Sequence, residues 1–263
     1  MQKIQLLVLN EVPSDLRNEY INTLPEPQEY FLEQLVQAGK IFLVETESQK
    51  TIGYLVLNGS TVVELFINSG NEGYIPFILT QAAQNLAART ILVKSFDPLY
   101  AYLEEFSLGG RETVGLLFRG YSTDPIKIFS ELCINNLSVS EIEEVMSIND
   151  GFFDDESEVH KYILSKSVFS YRNNEGELLG CGILSRVIEG REAVDIGMLV
   201  SLPHRNQGWG THVARHLKHI CLERGDRPIA GCDIENVASR KALEAAGLRT
   251  QHQLFEYSLH GRD

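Results

Sequence analysis

The 263-residue chain has only four cysteines and one tryptophan, and its 23 Lys+Arg are outnumbered by 36 Asp+Glu. Cys133, Cys181, Cys221 and Cys232 stand far apart and form no C-x-x-C, so neither a zinc knuckle nor a redox pair is signalled; reduced, mostly buried thiols are expected. The shortage of positive charge, a net −13, is shared: residues 1–130 carry 9 basic and 15 acidic side chains, leaving 14 and 21 for residues 131–263. Without a basic stripe to displace counterions, nucleic-acid binding falls away, and a cationic substrate is weakly favoured. No run of 18 or more apolar residues occurs, and Asn10, Glu11 and Pro13 break the first apolar run. No membrane association is therefore read, and a cytoplasmic location is expected.

What is present is one order of elements written twice. Residues 41–68 alternate as three strands with turns at Ser48-Gln49-Lys50 and Asn58-Gly59, the second a strong hairpin signal. An amphipathic helix from Pro76, a strand Ile91–Phe96, a helix Pro98–Phe106 and a strand Glu112–Arg119 follow, with an apolar helix over 26–38 in front. The second half repeats this: strands Val168–Asn173, Leu178–Val187 and Glu192–Val200, a helix Gly208–Arg224, a strand Ile229–Asp233, a helix Asn236–Ala246 and a strand Gln253–Leu259. Ahead of them, Ser140 and Glu143 suggest a capping box opening a helix to Ile148, and 157–165 a further helix. The repetition predicts two α/β domains, 1–128 and 129–263, joined within 121–136. In each, the strands before and after the central helix need a crossover and should lie parallel.

Between the third strand and the central helix of the second half stands HRNQGWG, residues 204–210. A helix start presents unpaired N–H groups and about half a positive charge, which suits an anion. Gly208 and Gly210 remove the Cβ atoms that would hold a pyrophosphate off the backbone, and Arg205 adds a side-chain fork. A phosphorylated cofactor is the expected ligand. Thr211 and His212 stand where a Walker A loop needs Lys and Ser/Thr, and Val213 where a dinucleotide fingerprint needs its third glycine.

The stretch Asp195–Gly247 resembles the core of the GCN5-related N-acetyltransferase (GNAT) superfamily, with its pattern V-x-P-x-x-[RQ]-x-x-G-x-[GA] and a later N-x-x-[AS] helix ending in G-[FL]. Val200, Arg205, Gly208, Gly210, Asn236, Ser239, Gly247 and Leu248 match, with the proline displaced by one to Pro203. The resemblance implies two GNAT-like domains in tandem. Each is a mixed, mostly antiparallel sheet with a central parallel pair and helices on both faces, α/β or α+β by scheme. It implies acetyl-CoA as co-substrate, with no metal. The pyrophosphate would sit on the amides of Asn206, Gln207, Gly208, Trp209, Gly210 and Thr211 with Arg205 at the entrance. The pantetheine arm would lie along Met198, Leu199 and Val200, touched from the other side by Asn236 and Ser239. Asn236 also reads as a helix cap, and Trp209 as a shield for the turn or a domain contact. In the first half INSGNEGYIPF lacks the arginine, and Glu72 stands where a pyrophosphate would go. That half is expected to bind no CoA and to support or wall the acceptor site.

Transfer to an amine requires a neutral nucleophile. An amine of pKa about 10.4 is neutral in less than about one part in a thousand at pH 7, a cost of about 4–5 kcal/mol unless a base helps. Asp195 and Glu235 are the candidate bases and Asp233 a third; each also reads as a cap or dipole partner. Many family members carry a general-acid tyrosine seven residues after the motif asparagine, where this chain has Leu243. The expected function is acetyl transfer to a primary amine of a small molecule, an antibiotic or a metabolite. The alternatives are a protein N-acetyltransferase and a non-catalytic acyl-CoA sensor. His212, His216 and His219 line one helical stripe but lack the glutamate of a zinc-protease helix, so a solvated or sheet-edge face is read.

Overall fold

The computed structural model describes residues 4–106, 110–124 and 132–259. In chain order the elements are β1 (Ile4–Leu9), α1 (Ser14–Thr23), α2 (Tyr30–Ala38), β2 (Lys40–Thr46), β3 (Thr51–Asn58), β4 (Thr61–Ile67), α3 (Ile75–Asn85), β5 (Thr90–Lys94), α4 (Pro98–Phe106) and β6 (Arg111–Tyr121). They continue with β7 (Cys133–Asn136), α5 (Ile142–Ser147), α6 (Glu156–Leu164), β8 (Val168–Arg172), β9 (Leu178–Arg186), β10 (Ala193–Val200), α7 (Trp209–Glu223), β11 (Arg227–Asp233), α8 (Val237–Ala245) and β12 (Leu248–Ser258). The doubled order β-β-β-α-β-α-β is present as β2 to β6 and β8 to β12. The strands β1 and β7 and the helix α1 extend beyond the sequence pattern. The capping box lies two residues earlier than expected: the Ser138 N–H and hydroxyl donate to Glu141, each at 2.8 Å.

The chain forms two compact units, Met1–Gly115 with His252–Asp263, and Leu116–Gln251. The sequence division at 128/129 lies outside the described residues, and the units differ from it in their last strands. Repetition alone assigns each final strand to its own half. Instead Phe255 and Tyr257 of β12 are buried in the first unit's core, while Leu116 and Phe118 of β6 are buried in the second's. β12 pairs antiparallel with β5 from Leu254↔Lys94 to Ser258↔Thr90.

In the first unit β1 to β4 form an antiparallel meander, turned at Asn58-Gly59 with Gly59 in the left-handed region (φ 59°), and β4 then runs parallel to β5. In the second, β7 to β10 are antiparallel and β10 runs parallel to β11. The crossover α7 buries Val213, Leu217 and Cys221 at i, i+4 and i+8 against Val194 and Ile196 of β10. Leu217 is wholly buried, worth about 1.5–3 kcal/mol for such a side chain. The opposite face carries α5 and α6, whose Val145, Val159 and Tyr162 pack with Leu199 and Cys181. Among the described residues no helix is long and apolar enough to cross a membrane.

Candidate functional site: a splayed strand pair beneath a glycine turn

Three register pairs hold β10 to β11: Ala193↔Arg227, Val194↔Pro228 and Asp195↔Ile229. Beyond Asp195 the pairing stops, although β10 continues to Val200 and β11 to Asp233. A notch thus opens between the carboxyl ends of two parallel strands, the usual location of ligands in such sheets. On its other edge β10 stays paired with β9 to Val200↔Gly180. The Ser201 N–H donates to the Leu179 carbonyl at 2.9 Å, so by alternation Leu199 also turns its amide groups toward β9. The backbone groups of Met198 and Val200 are the ones that face the notch.

HRNQGWG closes one end of this notch. Asn206 and Gly208 adopt left-handed φ of 64° and 89°, and Gly208 caps α7. The Thr211 N–H is committed to the Gly208 carbonyl at 3.0 Å, as is that of His212 at 3.3 Å. Among the described residues the N–H groups of Asn206, Gln207, Gly208, Trp209 and Gly210 meet no protein acceptor. A Cβ on Gly208 would meet nothing within 4 Å, so the turn is open outward. One on Gly210 would lie 3.4 Å from Ala242, 3.6 Å from the Met198 Sδ and 3.7 Å from Val200, so this glycine brings the helix start against the end of β10. Arg205 donates from Nε to the Val200 carbonyl at 3.0 Å and pairs with Asp150 at 3.0 Å. Trp209 turns inward, sharing an apolar crevice with Tyr171, Leu179, Val200 and Val213, and its Nε1 is buried without a partner among the described residues.

Asp195 is half-buried and shares its face of β10 with Gly197 and Leu199. Its cross-strand neighbour is Ser185, whose hydroxyl lies 3.0 Å from the Tyr162 hydroxyl of α6. On this face the loop after α5 is folded by Asn149, whose Oδ1 accepts the Phe152 and Phe153 N–H groups, each at 2.9 Å, and Phe152 packs over Gly197. Glu235 is exposed in the turn after β11, where its N–H donates to Asp233 Oδ1 at 2.7 Å. Asn236 caps α8, its Oδ1 accepting the Ser239 N–H at 3.0 Å. Leu243 is buried in the core against α7.

Sequence reasoning missed Asp150, Tyr162 and Ser185. The Asn-Asp-Gly at 149–151 was a readable turn signal, whereas Tyr162 and Ser185 meet only through the packing of α6 on β9. The histidine stripe is divided: His216 packs on the sheet face against Phe169 and Tyr171 of β8, which is paired on both sides, rather than at its edge. The Tyr171 hydroxyl and His216 Nδ1 share a hydrogen bond of 2.8 Å, and His219 pairs with Glu223 at 3.1 Å. Burial raises the thiols of Cys181 and Cys221 to about 12 and that of Cys232 to about 11. No group of metal-ligating side chains occurs among the described residues.

Two acetyltransferase models match the chain: the acetyltransferase (GNAT) family over residues 138–248, and an acetyltransferase (GNAT) domain over 10–104. The chain belongs to the GNAT acetyltransferase family. No curated protein matches it. Among solved structures it is similar to a GNAT-family acetyltransferase from Colwellia psychrerythraea (TM-score 0.84, 17% identity, covering 97% of this chain and 99% of that one). A GCN5-related N-acetyltransferase from Sphaerobacter thermophilus aligns with TM-score 0.66 and 13% identity over 99% of this chain and 97% of that one. A tandem GNAT protein from the clavulanic acid biosynthesis pathway gives 0.62 and 11% over 99% and 100%. At such identities the likeness establishes the fold. The chain is thus a tandem GNAT protein, and its family performs acyl transfer from acetyl-CoA.

Proposed function

We propose that the second unit transfers acetyl from acetyl-CoA to a primary amine of a small molecule, while the first binds no CoA. One observation carries this reading: the notch beyond Asp195 opens directly beneath five unpaired amides at the start of α7. Asn206, Gln207, Gly208, Trp209 and Gly210 would hold the pyrophosphate, Thr211 would flank it, and Arg205 would turn its guanidinium from Asp150 toward it. Met198 and Val200 would present their backbone groups to the pantetheine arm, Leu199 would fix β10 to β9, and Asn236 and Ser239 would border the arm from the cap of α8. Bound there, acetyl-CoA supplies a thioester carbonyl activated for attack by an amine. The N–H of Met198 or Val200, oriented by the strand toward the notch, would stabilise negative charge on that carbonyl oxygen.

Asp195 is the favoured base, because it lies on the face covered by Phe152, Tyr162 and Ser185, where an acceptor would enter. Glu235 is the second candidate, from the exposed turn across the notch. The first unit lacks the equivalent anion seat: at its turn the Gly70 N–H is taken by the Glu72 carboxylate at 3.0 Å, which puts a negative group where the second unit leaves amides open. Buried Leu243 favours a second reading, an acyl-CoA sensor, since it offers no proton to a departing thiolate. A thiol of pKa about 8.5 leaves unaided more readily than an alkoxide, so this residue alone does not decide against turnover. Assay of free CoA thiol over a panel of small amines separates the readings. Release with a primary amine supports the enzyme; acetyl-CoA binding without release from any amine overturns it in favour of the sensor.

A further inference from the structure

The first unit has a notch of its own. β4 and β5 are paired only at Thr61↔Thr90 and Val62↔Ile91, and beyond these they diverge around a cleft of about 230 Å³. This is below the roughly 300–1,000 Å³ of sites for drug-sized ligands, so it fits a small molecule. Its lining includes the rings of Tyr20, Phe66 and Tyr102 and the carboxylates of Glu19, Glu72 and Asp97, and no basic side chain.

The charge beneath it has the same sign. Asp97 is buried, accepting from the Tyr20 hydroxyl at 2.7 Å and from Lys94 at 3.2 Å. Next to Phe66 and Tyr20, buried Glu64 accepts from Tyr54 at 2.6 Å and Arg17 at 3.0 Å, and its second oxygen has no partner among the described residues. Arg17 also serves Glu33 at 2.8 Å. Two cations, Arg17 and Lys94, therefore face three buried carboxylates, Glu33, Glu64 and Asp97, with Glu19 and Glu72 exposed at the rim. An anion is disfavoured at every level, and Glu72 already fills the turn where a phosphate would sit.

We propose that this cleft binds a small organic cation, an ammonium group carried on an apolar or aromatic body. The ammonium lies at the rim between Glu19 and Glu72, and the body packs on Phe66 and Tyr102. This binding would stand whether or not the second unit turns over.

The test is calorimetric titration of the full chain, without acetyl-CoA, using phenethylammonium as probe and 2-phenylethanol and 3-phenylpropionate as neutral and anionic counterparts. The expected result is saturable ammonium binding, at least about tenfold weaker binding of the alcohol, and no binding of the carboxylate. In the double variant Glu19→Gln/Glu72→Gln that binding weakens by at least about fivefold while the thermal midpoint is unchanged, both side chains being exposed. No ammonium binding, equal binding of the alcohol, or a double variant that binds like the parent overturns the proposal. The last result places the probe elsewhere on the chain.

Discussion

The Arg205 guanidinium stands 3.0 Å from the Asp150 carboxylate, and its Nε is held by the Val200 carbonyl, also at 3.0 Å. The Val200 contact anchors the arginine to the end of β10; the Asp150 contact occupies the group a pyrophosphate needs. An exposed pair of this kind is worth about 0.2–1 kcal/mol. Asp150→Asn should therefore raise acetyl-CoA affinity, by up to about fivefold, measured by titration calorimetry. Arg205→Ala should lower it. Unchanged affinity in both variants would remove the arginine from the cofactor's path.

Gly208 is the position where backbone and ligand demands coincide. Its φ of 89° disfavours any side chain, yet a Cβ there meets no atom within 4 Å. Gly208→Ala should thus cost only backbone strain, about 1–2 kcal/mol, and keep the fold. Gly208→Glu adds the same strain and a carboxylate over the open amides, so acetyl-CoA binding should vanish while the circular dichroism of the folded protein persists. Retained affinity in the glutamate variant would sink the pyrophosphate assignment.

The glycine turn, the parallel crossover and the doubled element order were legible because each rests on local chemistry: glycine for left-handed φ, period-four apolar spacing for α7, Asn58-Gly59 for a hairpin. The exchange of final strands was not. Phe255 and Tyr257 alternate with polar residues whichever sheet they join, and only the core that receives them decides the matter. Asn236 was legible both as a cap and as a motif residue, and its bond to Ser239 realises the cap. Tyr162 beside Ser185 depends on how α6 packs on β9, which no spacing in the sequence encodes.

His216 provides a pH dependence. Burial, and to a lesser degree His219, lowers it from 6.5 to about 4, and its Nδ1 shares a hydrogen bond with the Tyr171 hydroxyl. The unfolded chain then binds the proton more readily than the folded one, so stability is full above about 6.5 and is lost as the pH falls toward about 4. His216→Gln retains a hydrogen-bonding partner for Tyr171 and removes the titration. Urea unfolding across this range should show a shallower loss in the variant, and parallel curves would refute the buried neutral histidine.

In the first unit the same arithmetic runs the other way. Burial raises the Glu64 carboxyl above its usual range, opposed by Arg17 and Lys94 and by the Tyr54 hydroxyl. A carboxyl raised on folding loses stabilisation as the pH rises, because the folded state then holds protons that the unfolded state has released. Arg17→Met removes the nearest cation, at 3.0 Å, and leaves the carboxylate buried, a change that costs about 3–5 kcal/mol when the charge is kept. The loss should be larger at mildly alkaline than at mildly acidic pH, because a raised carboxyl takes up its proton earlier as the pH falls. Adding Glu64→Gln to Arg17→Met should recover part of it and flatten its pH dependence. Urea unfolding of the parent and both variants at the two pH values measures this, and a loss of equal size at both in Arg17→Met would show that Glu64 does not change its protonation between them.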